Sequence, residues 1–190
     1  MANRKPINLI RASLVLILLG AFWMPKERRM TVFLTGYSYW DNTPPASAVI
    51  GRPVIHEVAA GIGTSDDPVT LAVGWRIDGG QVSEDFQPGT RFYIPRLRKY
   101  AIVEDLCGDG VKPQGGPCHI GWEGYPWLDI YVDGSTHNAE DSKQCMEKLT
   151  GIQAVLIKPR KGYPISPGPI WKLGARSLRI DQRHSVERLD

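Results

Sequence analysis

The sequence predicts a mainly β protein, a small closed barrel of short strands accompanied by one short helix. Of its 190 residues, 20 are glycine and 15 are proline, a composition that favours turns and short strands over long helices. Runs of β-branched and aromatic residues alternate with these turns, and one segment has the capping residues of a helix. Short strands leave many open edges, so we expect them to pair in a closed ring.

Seven segments are predicted as strands, with turns between them. A Gly-rich turn spans 59–68, and a basic turn spans 96–99. The glycines at 59–68 do not indicate a nucleotide site, because a third glycine and a following helix are missing. The predicted strands are Thr31–Asp41, Val54–Val58, Val69–Trp75, Arg91–Pro95, Tyr100–Leu106, Trp127–Val132 and Ile152–Lys158.

The helix is predicted at Asn138–Leu149. Asn138 is a favourable N-cap, Glu140 and Asp141 lie in the first turn, and Lys148 lies in the last. Acidic residues near the N-terminus and a basic residue near the C-terminus interact favourably with the helix dipole. These residues mark both ends of one helix between the last two predicted strands.

The length predicts one folded domain, which we place at residues 30–160. Residues 1–29 are a signal peptide or an N-terminal anchor, and residues 161–190 are a Pro-rich, charged tail. The apolar run Ala12–Met24 follows a basic region, as in secretory signals, and its 13 residues are short for a membrane span of roughly 20. We expect a secreted or periplasmic monomer, with an uncleaved anchor or a buried strand as the alternatives for this run.

The net charge of +3 comes from the N-terminal segment. Residues 1–29 hold six of the 23 lysines and arginines but one of the 20 acidic residues, so the remainder carries about −2. A folded domain with this balance does not suggest a nucleic-acid partner. We expect the protein to contact a membrane only if the N-terminal segment stays attached as an anchor.

Three cysteines, Cys107, Cys118 and Cys145, are disulfide candidates if the chain is exported. An odd number permits one intramolecular bridge, and both Cys107–Cys118 and Cys107–Cys145 are open. A zinc site is disfavoured because no C-x-x-C motif occurs and His119 is the one histidine beside a cysteine. We expect no metal and no cofactor.

Asp129 lies inside the apolar strand Trp127–Val132, where aspartate is normally excluded. Its neighbours Leu128 and Ile130 favour a raised pKa, which suits a general acid. Asp105, at the end of another predicted strand, and Asp41 are candidates for the ionised partner. A structural role, in which Asp105 and Asp129 accept backbone hydrogen bonds, is the alternative.

Motifs across 31–158 resemble those of a known superfamily. They are T-G-Y-x-x-W-D, G-x-G-T-x-D-D-P, G-T-x-F-Y-I-P, K-Y-x-x-x-E-D-x-C, x-D-I-Y and C-x-x-x-L-T, in this order. The sequence resembles the double-psi β-barrel proteins: expansins, family 45 endoglucanases, barwin-like proteins, rare lipoprotein A and the three-aspartate domain of a lytic transglycosylase. The order and spacing of these motifs are most similar to those of small secreted members without a settled activity. This resemblance implies a six-stranded double-psi β-barrel.

The resemblance also implies roles for the three acids. Asp129 matches the aspartate that acts as general acid in the endoglucanases. Expansins need the corresponding aspartate for wall activity. Asp105 matches the aspartate of the transglycosylase D-x-G-G segment, and Asp41 matches the endoglucanase base in Y-W-D. Two departures are clear: Trp127-Leu128 replaces His-Phe, and a cysteine-containing insertion replaces the glycine run after Asp105.

Six aromatic residues flank the acids in sequence and are candidates for polysaccharide binding, since flat rings suit the apolar faces of sugars. The partner would be peptidoglycan or a plant or fungal wall glycan. The three acids favour a glycoside hydrolase or lytic transglycosylase; the two departures favour an expansin-like or other non-catalytic binding protein, with a barwin-like defence or effector protein as a third hypothesis. For any single ring, core packing is the alternative. The six are Tyr37, Tyr39, Trp40, Trp122, Tyr125 and Trp127.

Overall fold

The structure is a computed structural model that describes residues 26–171. The predicted signal or anchor run Ala12–Met24 and the end of the charged tail, from residue 172 on, lie outside the described residues. Among the helices described, none is long and apolar enough to cross a membrane. The elements are β1 (Arg28–Ser38), β2 (Val69–Val73), β3 (Trp75–Asp78), β4 (Gln81–Glu84), β5 (Arg91–Ile94), β6 (Lys99–Leu106), a 3₁₀ turn (Pro113–Gly115), α1 (Pro117–Ile120), β7 (Trp127–Val132), α2 (Ala139–Leu149) and β8 (Gly151–Ile157).

Six strands close into a barrel in the order β1-β7-β2-β6-β5-β8, and β3 and β4 form a separate hairpin. The pairs β1·β7 and β2·β6 are parallel, whereas the other barrel pairs are antiparallel. Closure gives every barrel strand two neighbours, which removes the open edges. The predicted mainly β class, the small closed barrel and the single longer helix are thus confirmed.

Aliphatic and aromatic side chains from all parts of the barrel form one core. Phe92, Leu34, Leu71, Ile94 and Leu128 are among its largest fully buried side chains. Burial of each such side chain stabilises the fold by about 1.5–3 kcal/mol. The core fixes the barrel on which the polar side chains of β1 and β7 are mounted.

Helix α2 packs on β1 through a glycine. A Cβ atom at Gly36 would lie 3.0 Å from Leu149 Cδ1 and 3.2 Å from Met146 Cγ, so a larger residue would push the helix away. The predicted cap is present, because Asn138 Oδ1 accepts a hydrogen bond of 2.8 Å from the Asp141 backbone N–H. Helix and cap occur where the sequence predicts them.

The prediction of a strand at Val54–Val58 is wrong. The one ladder contact here is an isolated antiparallel bridge between Val49 and Val58. The backbone N–H groups of Val54, Ile55 and His56 instead donate hydrogen bonds to Glu104 Oε1. A buried carboxylate therefore takes the donors that a β-ladder would need.

The segment 159–171 lies against the barrel. Lys99 is buried in β6, and its Nζ donates to the carbonyls of Ile62, Ser166 and Gly168 at 3.2, 2.5 and 2.6 Å. Tyr163 stacks on Tyr93 with ring centroids 4.6 Å apart. The described part of the predicted tail thus extends the packed domain.

Candidate functional site

Asp129 lies beside Thr35 because β7 and β1 run parallel in the register Thr35↔Asp129. Thr35 Oγ1 donates a hydrogen bond of 2.6 Å to Asp129 Oδ1. The indole Nε1 of Trp127 in turn donates to Thr35 Oγ1 at 2.7 Å, which orients the hydroxyl toward the carboxyl group. The three side chains share one face of the strand pair, since alternate residues of a strand point the same way.

Burial raises the pKa of Asp129 to about 7. The hydrogen bond from Thr35 acts in the opposite direction, and the negative charges of Asp41, Asp105 and Asp109 add to the increase. Desolvation disfavours the carboxylate form, and nearby negative charge disfavours it further. Asp129 is therefore protonated to a substantial extent near neutral pH.

A cavity of about 280 Å³ opens in front of Asp129. Two other carboxyl groups line it, those of Asp41 and Asp109. Trp127 and Tyr37 supply aromatic surface on its walls, and the disulfide loop forms another side. We call this space the acid cavity, since three carboxyl groups converge on it.

Asp41 is exposed and rigidly held. Its Oδ1 accepts hydrogen bonds from the Ser38 backbone N–H at 2.7 Å and from Ser38 Oγ at 2.8 Å. Ser38 is the last residue of β1 and is fully buried, so it anchors the acid at the end of the strand. Oδ2 of Asp41 makes no hydrogen bond to the described residues and is available to a ligand.

Asp109 lines the acid cavity but was not among the predicted residues. It is half-buried, and its Oδ2 accepts a hydrogen bond of 3.2 Å from the Cys118 backbone N–H. Burial raises its pKa, partly offset by hydrogen bonds from the Cys118 and His119 backbone. The sequence held one signal for Asp109. It lies between Gly108 and Gly110, and this Gly-Asp-Gly run directly follows Cys107, a pattern that indicates a tight loop.

Asp105 does not line the acid cavity. Its Oδ2 accepts from the Tyr37 hydroxyl, and its Oδ1 accepts from the backbone N–H groups of Gly51 and Leu106, all at 2.8 Å. Burial raises the pKa of Asp105 and outweighs these hydrogen bonds. It faces an adjacent cavity of about 300 Å³, which shares one wall, Leu106 to Gly108, with the first.

Three of the six predicted aromatic residues lie together beside the strand pair β1·β7. Trp122 stacks on Phe33 with centroids 5.2 Å apart, and Trp127 meets Phe33 edge-on at 4.7 Å. Trp122 and Tyr125 are exposed, at 47% and 37%. Tyr125 is joined to Trp122 by a backbone bridge. We call the packed rings of Phe33, Trp122 and Trp127 the aromatic platform.

The other three predicted rings are separated from this platform. Tyr37 is buried between the Asp105 carboxyl and the ring of Tyr131. Tyr39 lines a different cavity, and Trp40 hydrogen-bonds through Nε1 to the carbonyls of Gly134 and His137. The structure therefore brings Trp122, Tyr125 and Trp127 together, and Tyr37 alone of the second group reaches the acid cavity.

Cys107 and Cys118 form the disulfide, which decides between the two pairings that the sequence left open. The bond closes the loop that carries Asp109 and ties it to α1. Cys145 is buried in α2 and lies outside the bond. Within residues 26–171, no group of three or more histidine, cysteine or acidic side chains is placed to hold a metal ion.

A second ionic cluster lies apart from the acid cavity. Glu104 is fully buried in β6, and its Oε2 lies 2.6 Å from His56 Nδ1. His56 Nε2 lies 2.9 Å from Asp67 Oδ1 on the other side. Burial alone would lower the pKa of His56, but the two carboxylates outweigh it and raise that pKa. In sequence His56 is isolated, so nothing there reveals this arrangement.

Comparison with known proteins gives a family without a described activity. The chain matches the family described as DDB_G0273701 N-terminal domain over residues 29–179, and it belongs to that family. It is 28% identical over 144 residues to the Uncharacterized protein DDB_G0273701/DDB_G0273221 of Dictyostelium discoideum. The match covers 73% of this chain and 55% of that protein, so the chain spans about half the length of its relative. No solved structure matches.

Proposed function

We propose that this member of the DDB_G0273701 N-terminal domain family is a secreted, glycan-cleaving protein that acts on a cell-wall polysaccharide. The observation that carries the proposal is Asp129, whose pKa of about 7 keeps a proton available on the floor of a cavity. Cleavage of a glycosidic bond needs such a proton donor for the leaving oxygen. The disulfide between Cys107 and Cys118 fits an oxidising, extracellular or periplasmic location.

The barrel topology supports a relationship to the double-psi β-barrel proteins. Two parallel strand pairs, β1·β7 and β2·β6, lie within one closed ring of six strands. The predicted acid-bearing strand is one member of the first pair. We therefore extend the proposal to the fold superfamily, whose members include glycan-cleaving and wall-loosening proteins.

In the proposed reaction, Asp129 donates its proton to the glycosidic oxygen as the bond from that oxygen to the anomeric carbon breaks. Asp41 accepts a proton from the water that attacks the same carbon, so each cleavage consumes one water. Asp129 has then lost one proton and Asp41 has gained one, and proton exchange with solvent returns both to their starting states. Asp41 suits this role because Ser38 holds it at the cavity while one oxygen stays available. A lytic transglycosylase would instead use the 6-hydroxyl of the sugar as the nucleophile.

The aromatic platform of Phe33, Trp122 and Trp127 gives the polysaccharide a place to bind beside the acid. Trp127 links the two features directly, since it lines the acid cavity and also orients Thr35 toward Asp129. Sugar rings stacked on Trp122 would lead the chain toward the carboxyl groups. We expect a neutral or weakly charged glycan, because the cavity is lined by three acids.

Non-catalytic glycan binding is the second candidate. Thr35 occupies one oxygen of Asp129 with a short hydrogen bond, an arrangement that also serves to hold β1 against β7. In that case the platform alone would bind the polymer, and the acid would be structural. The two candidates differ in whether soluble products appear.

The test is product release by the full chain from peptidoglycan, cellulose and chitin, with mass spectrometry of the soluble fraction. Asp129→Asn is compared with Asp78→Asn, an equal change at an exposed position in the β3–β4 hairpin. We expect wild type and Asp78→Asn to release products and Asp129→Asn to release at least about a hundredfold less. Binding of all three proteins to a polymer without any product would contradict the enzyme and favour the binding protein.

A further inference from the structure

A third cavity, of about 350 Å³, lies beyond the carboxyl end of β7. Its volume falls in the range typical of small-molecule sites. The loop at 58–62 and the segment at 169–170 form its walls, together with Ala48. These walls are apolar, consisting of the side chains of Ala48, Val58, Ala59, Ile62, Pro169 and Ile170.

The polar end of this cavity is built from the ends of β1 and β7. Tyr131 lines the cavity and is 97% buried, with 3% exposed, yet its hydroxyl makes no hydrogen bond to the described residues. The Tyr39 hydroxyl lines the same space and is likewise without a hydrogen-bond partner in residues 26–171. Neither hydroxyl oxygen is sealed in the core, because neither is among the buried side-chain atoms that lack a partner, so both can bond to a ligand in the cavity.

Asp133 supplies the negative charge at the polar end of this cavity. Its Oδ1 accepts hydrogen bonds from the Ser135 backbone N–H at 3.2 Å and from Ser135 Oγ at 2.8 Å. Its Oδ2 makes no hydrogen bond to the described part of the chain. Asp133 is the one charged residue in the lining as described, so the polar end attracts cations and repels anions.

The Tyr131 hydroxyl stays neutral under ordinary conditions. Burial raises its pKa to about 12, with further contributions from Asp133 and Tyr39. The hydroxyl groups of Tyr39 and Tyr131 and the Asp133 carboxylate therefore offer three acceptor oxygens at this end of the cavity. A primary ammonium group carries three N–H donors, which equals the number of these acceptors.

We propose that the cavity between Tyr39, Tyr131 and Asp133 is a binding site for a primary amine with an apolar body. The ammonium group pairs with Asp133 and the two phenol oxygens, and the apolar body packs against Val58, Ile62 and Ile170. The site is independent of the proposed glycan cleavage, since none of these residues lines the acid cavity.

The test is calorimetric and NMR titration of the full chain with three probes of similar shape. These are 2-phenylethylamine, the neutral 2-phenylethanol and the anion 3-phenylpropanoate. We expect saturable binding of the amine, at least about tenfold tighter than that of the alcohol, and no binding of the anion, because the amine alone forms a charge-assisted bond with Asp133. Amide shifts should concentrate at Tyr39, Tyr131 and Ile170.

Two variants locate the site. Asp133→Asn and Tyr131→Phe should each weaken amine binding by about tenfold, whereas the exposed Asp78→Asn should leave it unchanged. Tyr131→Phe keeps the ring and its packing on Tyr37, so it tests the hydroxyl even if Asp133→Asn unfolds. Equal binding of the anion, equal affinity in Tyr131→Phe, or no saturation at about 10 mM amine would overturn the proposal.

Discussion

Burial, more than any hydrogen bond, determines the chemistry of Asp129. Leu128 and Ile130 beside it are fully buried, and the carboxyl group shares its cavity with two other acids. Among residues 26–171, Thr35 alone donates to it, so the carboxylate form is poorly compensated. An acid in this position weakens the fold whenever it ionises, which is the usual cost of a raised pKa.

Asp129→Asn should stabilise the protein at high pH and change little at low pH. The pKa of Asp129 is raised in the folded state, so the folded chain holds a proton that the unfolded chain loses between about pH 4 and 7. Stability in wild type therefore falls over that window. We expect the variant to gain about 2–4 kcal/mol relative to wild type at pH 8, measured by urea unfolding. An equal difference at pH 4 and pH 8 would contradict this account.

For His56, whose pKa is also raised, stability should change with pH in the same direction as for Asp129, whereas for Glu104, whose pKa is lowered, it should change in the opposite direction. The raised pKa of His56 stabilises the fold below about pH 6.5, and this contribution is lost as the pH rises through the folded-state value. The pKa of Glu104 is lowered, since hydrogen bonds from Ile55 and His56 outweigh its burial, and this contribution is lost in acid. The pair therefore contributes most between about pH 4.5 and 6.5.

His56→Gln should accordingly destabilise the fold by about 2–4 kcal/mol at pH 5.5, because Glu104 stays buried without its charged partner. At pH 9 the loss should be smaller, since His56 is then largely neutral in wild type. His137→Gln is the control: in the described structure the His137 ring contacts Thr136 and Trp171 rather than a carboxylate. Equal losses at both pH values would show that the ionic pair does not operate.

At the scale of single residues, the sequence identifies side chains of a type that is unusual in the strand or loop where they lie. Asp129 interrupts an apolar strand, so its special status is visible without a structure. Asp109 lies in a Gly-rich loop, where aspartate is ordinary, and its place at the cavity depends on the disulfide. The pairing of His56 with Glu104 joins residues 48 apart in sequence, which no local pattern encodes.

Among the elements, the disulfide loop has the most direct effect on the acid cavity. It joins two cysteines 11 positions apart, carries Asp109, and positions α1 so that the Cys118 N–H reaches Asp109 Oδ2. Such a short loop restricts the unfolded chain as well as the native cavity wall. Removing the bond should therefore affect both stability and the order of the loop.

The double variant Cys107→Ser with Cys118→Ser should lose about 2–3 kcal/mol of unfolding free energy. Amide exchange should accelerate at 107–120 while the β7 amides stay protected, because β7 is held by two barrel neighbours. Reduced wild type serves as the reference and should match the variant. If oxidised and reduced wild type unfold at the same urea concentration, the loop does not have this role.

The elements also show where local pattern is insufficient. Val54–Val58 has the composition of a strand, yet Glu104 takes three of its backbone donors. Residues 76–84 of the β3–β4 hairpin are not among the predicted strands, since these strands have four residues each and are largely exposed. By contrast, β7 and α2 were predicted within a residue of their observed ends, because burial pattern and capping both act locally.

For the molecule as a whole, closure of the barrel could be expected from short strands, but their order could not. The neighbours of β1, which are β7 and β8, come from the far end of the chain. Lys99 then holds the segment 159–171 against this barrel by donating to two of its carbonyl groups, those of Ser166 and Gly168, and to that of Ile62 in the 59–68 loop. Ile170, two residues after Gly168, forms part of the third cavity.

Lys99→Met should loosen this segment while keeping most of the apolar stem. Three carbonyl groups lose a donor, so we expect a loss of about 1–3 kcal/mol and faster exchange of the Gly168 amide, which bonds to Ile62. Lys112→Met, at an exposed position, is the control. Unchanged exchange at Gly168 would contradict the role assigned to Lys99.

The central claim is that the fold keeps Asp129 protonated near neutral pH. Direct titration of its carboxyl carbon by ¹³C NMR, with the resonance assigned by its absence in Asp129→Asn, tests this without knowledge of the glycan. We predict a midpoint at about 7 in wild type and a higher midpoint in Thr35→Val, because the Thr35 hydrogen bond lowers the pKa. A midpoint near 4, the ordinary value for aspartate, would contradict the account.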